Sequence, residues 1–135
     1  MELKRMTKEK TSLGLDENIA SVLAYVLAWI TGIIFYFIEK ENKTVRFHAL
    51  QSILTFLPLS ILGWLFGWLG APKVTYGPYA QYGQYYYTPG IAPLIWLSWI
   101  IWIVTLVLWI FLIYKAYNGE KFKVPFIGDI AEKHS

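Results

Sequence analysis

The sequence predicts an all-α membrane protein with three transmembrane helices, a tyrosine-rich loop and a short amphipathic C-terminal segment. Three observations predict it. Hydrophobic residues make up 56% of the 135 and charged residues 16%, where soluble domains sit near 25% charged. The apolar residues gather in three blocks of about 20 or more, the length that crosses a bilayer. The charges collect between and outside those blocks. The length suits one domain, divided here into a polar arm (1–18), a transmembrane region (19–114) and an amphipathic tail (115–135).

The arm carries Lys4, Arg5, Lys8 and Lys10 against Glu2 and Glu9. It has no apolar core or small-residue cleavage pattern. The apolar block after it is too long for a signal-peptide core, so that block is expected to be retained. Asp16 is placed to cap the first helix, with Glu17 near its positive end.

Block one, residues 19–38, spans about 30 Å as a helix, the hydrocarbon thickness. Ser21, Ala24, Ala28 and Gly32 recur at spacings of three and four. This small-residue stripe lets backbones approach closely and is expected to be a packing face. The connector Glu39–Arg46 holds five charges, too many for hydrocarbon. Its shortness predicts an antiparallel helix pair, with Asn42 as a turn residue.

Block two, residues 47–69, places His48, Ser52 and Thr55 on one helical face with Gln51 beside them. His and Gln need partners or water, so they are expected to face the bundle or the headgroup layer. Gly63 and Gly67 form a small-xxx-small pair, and Pro58 is expected to kink the helix.

Gly70–Gly90 contains Pro72, Pro78, Pro89 and six tyrosines, with Lys73 as its charge. Gly and Pro exclude a long helix. The tyrosines suit the membrane interface; the alternative is a protein- or sugar-binding surface.

Block three, residues 91–114, carries Trp96, Trp99, Trp102 and Trp109, with Pro93 in its first turn. Ser98, Trp102, Thr105 and Trp109 share a side. The middle tryptophans lie too deep for an interface belt and are expected to pack inward, their indole N–H groups seeking acceptors. Asn118-Gly119 signals a turn after this block. In the tail, Phe122, Val124 and Phe126 alternate with Lys121, Lys123 and Pro125. Residues 125–133 are expected to form a short helix that lies on the membrane or closes the bundle.

Several chemistries find no foothold in the residues. The +3 charge flanks apolar blocks and forms no stripe, which argues against nucleic acid and for anionic headgroups. Cysteine is absent, which excludes disulfides and thiol catalysis. His48 and His134 belong to no ligand cluster, so no metal is expected. No Gly-rich phosphate loop or Gly-x-Ser-x-Gly elbow appears, and no cofactor is expected. The close carboxylates Asp16/Glu17, Glu39/Glu41 and Asp129/Glu132 sit in surface-like settings. No catalytic residue is assigned, and the chain is read as non-enzymatic.

One polar constellation stands out: Arg46, His48, Gln51, Ser52 and Thr55, with Glu39 able to approach across the connector. Intramembrane polar groups suggest proton or ion handling, or recognition of a headgroup or partner. The structural alternative is a clamp between helices one and two. Three spans separate the termini. Seven Lys and Arg on the C-terminal side against five on the other then favour a cell-membrane protein with N outside and C inside.

The run Phe37-Ile38-Glu39-Lys40-Glu41-Asn42-Lys43-Thr44-Val45-Arg46-Phe47-His48-Ala49-Leu50-Gln51-Ser52 resembles the signature of a family of uncharacterised small prokaryotic membrane proteins. They are grouped as relatives of the Tic protein-import component of the chloroplast inner envelope. Lys123–Lys133 resembles that family's ending, and the likeness covers roughly residues 15–133. It implies a channel-forming or translocon-associated role and supplies no catalytic residue. The plastid relatives have four helices where this chain shows three blocks. The expectation is a membrane subunit that packs with itself or with a membrane protein partner, linked to protein or solute passage. The alternative is a small transporter or ion-handling channel using Arg46–Thr55. A membrane enzyme on lipid or isoprenoid substrates is disfavoured because no nucleophile–base pair is visible.

Overall fold

A computed structural model describes residues 11–135. The arm's Lys4, Arg5, Lys8 and Lys10 lie outside the described residues. The elements are α1 (Glu17–Val26), α2 (Trp29–Ile38), α3 (Lys43–Gly70), β1 (Lys73–Tyr76), β2 (Tyr85–Thr88), α4 (Ala92–Tyr117) and α5 (Ile127–His134), with a 3-10 turn at Ala80–Tyr82. They fall into two units: one made of residues up to Pro58 and from Thr105 onward, the other of Leu59–Val104.

Two helices, α3 and α4, are long and apolar enough to cross a membrane. At about 1.5 Å per residue their 28 and 26 residues exceed a bilayer's hydrocarbon core. Only 22% and 6% of their apolar windows are buried, unlike the core helices of a soluble protein.

Block one differs from the expected single span. It breaks at Leu27–Ala28 into two ten-residue helices and doubles back. Ser12, just before α1, bonds Glu39, just after α2, through both its amide (2.8 Å) and its hydroxyl (2.6 Å). The Asn42 amide reaches Glu17 at 3.1 Å, and the Asn18 amide donates to the Tyr117 carbonyl. A continuous helix would hold Glu17 and Glu39 about 30 Å apart. The reversal turns on Ala28, at φ 53° and ψ −126°, close to the first central position of a type II′ turn.

Side chains satisfy the backbone freed by the break. Thr31 Oγ1 accepts from the Leu27 amide and lies within bonding range of the Ala24 and Ala28 carbonyls. The Ser52 hydroxyl donates to the Ala28 carbonyl at 2.7 Å. The Trp109 indole donates to the Tyr25 carbonyl at 2.6 Å. This is the acceptor the deep tryptophan needs.

The boundary between blocks one and two also moves. The charged connector shrinks to Glu39–Asn42, because α3 starts at Lys43. Asn42 caps α3, its side chain accepting from the Val45 amide at 3.1 Å. Asp16 stands at the N-cap of α1 with extended backbone, yet its side chain makes no capping bond. Helix α3 runs unbroken through Pro58. At the far end of α4, Gly119 takes a left-handed φ of 76°. The Glu120 and Gly119 amides bond the Lys115 and Ala116 carbonyls, the paired closure of a Schellman motif.

The first unit's core joins Tyr25, Phe56, Leu112, Ala116 and Val124. In the second unit a Cβ on Gly63 would meet Trp102 at 2.8 Å and one on Gly67 would meet Ser98 at 3.1 Å. The Ser98 hydroxyl donates to the Gly63 carbonyl at 2.7 Å. The tyrosine segment forms an antiparallel two-stranded hairpin, so the fold is not purely α.

Candidate functional site

Helix α3 presents His48, Gln51, Ser52 and Thr55 on one buried stripe. Their spacing of three and four repeats the helical period and keeps them on the face turned toward α1. Gln51 is the hub. Its Nε2 donates to the Tyr25 hydroxyl (3.0 Å) and to the Phe122 carbonyl (2.9 Å), and its Oε1 accepts from the Val124 amide (2.9 Å). One side chain thus fastens α1, α3 and the start of the tail. Tyr25 also lies 2.9 Å from His48 Nδ1. With Gln51 donating to its oxygen, the tyrosine keeps its own proton for His48, which assigns the histidine proton to Nε2.

Arg46 works at the edge of this stripe. Its guanidinium stacks over the Tyr36 ring at 4.4 Å and donates to the Tyr36 and Glu39 carbonyls at 2.8 Å and to Ser135 at 3.2 Å. The planar fork suits three carbonyls at once. The Tyr36 hydroxyl donates to the His134 carbonyl at 3.3 Å, so α5 is held against α2 from two sides.

Glu39 does not join the stripe through its carboxylate. That group is buried and accepts from Ser12, Glu41 and Asn42. Burial alone would raise its pKa. The Ser12 hydroxyl and the backbone amides of Asn42, Glu41 and Ser12 outweigh that and hold it below the ordinary carboxylate value. In the tail, the hydrogen bond between Lys123 and Glu132 raises the lysine and lowers the carboxylate. Lys121 sits 4.7 Å over the Phe47 ring.

Of the small residues expected to pack, Gly32 is tight against backbone: a Cβ there would meet the Ala49 carbonyl at 2.8 Å. Ala24 is fully buried, and Ala28 forms the reversal. Gly63 and Gly67 face Trp102 and Ser98 as described. The small faces are therefore used inside the chain.

The sequence reading passed over Tyr25, Thr31 and Ser12. Tyr25 had a signal, since it follows Ser21 by four on the same stripe and carries a polar tip in mid-block. Ser12 had none, because its partner lies 27 residues away.

Two buried hydroxyls, Ser21 Oγ and Thr55 Oγ1, have no hydrogen-bond partner among the described residues. Among the described residues no group of three or more His, Cys, Asp or Glu is placed to hold a metal. A groove of about 440 Å³ in the second unit is lined by Gly63, Trp64, Gly67, Trp68, Ser98 and Trp102. Its one hydroxyl, Ser98, is spent on Gly63, and the rest of the lining is glycine and tryptophan.

The model of the Magnetosome magnetite crystal formation protein family (MamF/MmsF) matches residues 11–131. The chain belongs to this family. It is 45% identical over 131 residues to a UPF0132 membrane protein of Methanocaldococcus jannaschii, covering 93% of this chain and 94% of that one. A second UPF0132 membrane protein of the same organism is 38% identical, covering 91% and 73%. One from Archaeoglobus fulgidus is 36% identical, covering 88% and 95%. No solved structure matches the chain. These relatives are named membrane proteins, which agrees with two exposed apolar helices of spanning length: this is a membrane protein. Nothing in these matches links it to the chloroplast import component. The uncharacterised prokaryotic membrane family is what they support, and the Tic-like kinship finds no support in them.

Proposed function

We propose that the chain is a non-enzymatic integral membrane subunit that acts by association, with copies of itself or with another membrane protein. The state of the polar stripe supports this reading. Arg46, His48, Gln51 and Ser52 each bond another part of the same chain, which is how a clamp behaves. What is left for contact is apolar: α4 exposes Ile100, Ile103, Val104, Leu106, Val107 and Ile110. The small residues that motivated close helix association are occupied internally, so branched aliphatic side chains would form the contact. The family's description names magnetite crystal formation, and a membrane-held chain that displays a surface is compatible with it. Cross-linking in bilayers through Leu106→Cys tests the reading. Covalent dimers or a captured membrane protein are expected; only monomers, with nothing co-purifying, would defeat it.

The proposed topology has two spans and a re-entrant hairpin. The arms α1 and α2 each reach about 15 Å, half the hydrocarbon thickness. Irregular backbone at such depth persists only where protein covers it, and Thr31, Ser52 and Trp109 do so. The segment from Ser12 then lies on the same side as Glu39 and Tyr117. Lys40, Lys43, Arg46, Lys115, Lys121, Lys123 and Lys133 share that side, against Lys73 on the other. The asymmetry supports an inside position for them.

A second reading, ion or proton handling, is favoured by the unpartnered Thr55 and Ser21 hydroxyls beside a re-entrant hairpin. Flux into proteoliposomes that Thr55→Val abolishes would establish it. No flux at any pH would remove it.

A further inference from the structure

The tyrosine hairpin has two unlike faces. In an antiparallel pair, directly opposed residues share a face and successive residues alternate. The register Val74↔Tyr87 and Tyr76↔Tyr85 puts one aliphatic and three aromatic side chains together. The other face carries Lys73, Thr75, Tyr86 and Thr88. Val74, Tyr76, Tyr85 and Tyr87 are all more than half exposed. An isolated two-stranded hairpin is marginal in water, and this one leaves its apolar face uncovered.

Four observations identify what covers it. The hairpin has no linker: β1 starts three residues after α3 ends, the Ile91 amide bonds the Leu69 carbonyl at 3.2 Å, and a Cβ on Gly90 would collide with the Gly70 backbone. Its base is thus fixed at the helix ends, and four-residue strands reach about 13 Å from there, enough to cover the adjoining headgroup layer of about 5–8 Å. Residues 74–91 contain no charged side chain. The hairpin's lysine folds back, Lys73 Nζ donating to the Trp68 carbonyl at 2.7 Å and lying 4.5 Å over the Trp68 ring. Finally, Trp68 and Trp96 are exposed on the flanking helix ends, where aromatic residues anchor to headgroups. The aromatic face continues that belt.

We infer that the Val74/Tyr76/Tyr85/Tyr87 face lies in the headgroup–acyl boundary of the bilayer from which α3 and α4 emerge. Rings are buried in the boundary and hydroxyls point toward water. Because the surface is uncharged, its binding is indifferent to lipid charge and to salt. The inference rests on residence in a membrane and is independent of the association reading.

The chain has no cysteine, so single cysteines report cleanly. Val74→Cys and Thr75→Cys are adjacent and on opposite faces, and neither removes a tyrosine. Each full-length variant is labelled with an environment-sensitive fluorophore and placed in phosphatidylcholine vesicles. Shallow spin-labelled phosphatidylcholine should quench the position-74 label about threefold more than the position-75 label, as expected for an interfacial ring face. Aqueous iodide should show the reverse order. Replacing a third of the lipid by an anionic one, or adding salt, should leave the spin-label quenching at both positions unchanged; iodide, an anion repelled by such a surface, is compared only in phosphatidylcholine. Tyr76→Cys reads the same face with Val74 intact and should agree with position 74. Iodide access at all three positions would mean the hairpin stands in water. Protection of position 74 from both quenchers would mean a protein, such as a second copy, covers it. Either result overturns the inference, as does spin-label quenching that depends on anionic lipid.

Discussion

The Ser12 hydroxyl donates to the Glu39 carboxylate at 2.6 Å across 27 residues of chain. Between them lies an apolar block that would carry a straight helix from one side of a bilayer to the other. The contact exists because the block reverses at Ala28, and it sets the topology of everything before α3.

Impermeant thiol labelling should follow that topology. Leu13→Cys and Asn118→Cys, both at exposed positions, should react from the same side of sealed vesicles, and Gln81→Cys from the opposite side. Leu13→Cys reacting from the side of Gln81→Cys would mean that block one crosses the membrane.

Acid should loosen the first segment through Glu39. Its folded pKa lies below the ordinary 4.5, so its contribution is fully present above that value and is lost as pH falls through the folded value. Hydrogen exchange at the Ser12 and Asn42 amides should accelerate below about pH 4.5 in the native chain. Glu39→Gln should exchange faster at neutral pH and show little further acid response. An unaltered acid response in that variant would assign the effect elsewhere.

The sequence carried the membrane class, the long apolar helices α3 and α4 and the polar stripe, because each is a local pattern. Blocks of apolar residues reveal length, and His48, Gln51, Ser52 and Thr55 reveal a face. The reversal in block one was not local in this sense. Leu27-Ala28 contains neither Gly nor Pro, and alanine is the best helix former. What bends the chain there is tertiary: Ser52 and Trp109 donate to the freed carbonyls while Thr31 accepts from the Leu27 amide, and Ser12 and Asn42 bind the two ends together. The partners of Gln51 were hidden for the same reason, since Phe122 and Val124 offer only backbone. The tyrosine hairpin was masked by Gly and Pro, which signal turns but not the pairing between them.

Loss of Gln51 should cost more than loss of His48. Gln51→Leu strands the Phe122 carbonyl and the Val124 amide and takes one partner from Tyr25, a penalty of about 2–4 kcal/mol. His48→Ala leaves one tyrosine hydroxyl proton without its acceptor and removes a ring that packs edge-on against Tyr25 and Phe47, for about 1–3 kcal/mol. Trypsin reports the difference directly. Cleavage after Lys121 and Lys123 should speed up strongly in Gln51→Leu, because their segment is released, and only slightly in His48→Ala. Equal release in both would show that the tail is not held by Gln51.

Substitution at Ala28 distinguishes a reversed block from a continuous helix by sign. Within an ordinary helix, Ala→Gly costs about 1 kcal/mol. At φ 53° an L side chain is strained by about 1–2 kcal/mol, while glycine is free of that strain. Glycine's larger unfolded-state entropy costs about 0.5–1 kcal/mol, and losing a half-buried methyl costs a few tenths more. Ala28→Gly should therefore leave stability unchanged or raise it by up to about 1 kcal/mol. Ala28→Val should lower it by about 2 kcal/mol or more, because a β-branched residue is least tolerated there. The comparison is made by denaturation of both variants in the same detergent or lipid. A loss of about 1 kcal/mol in Ala28→Gly, with Val well tolerated, is the helix-interior pattern and would mean that residues 17–38 form a single rod.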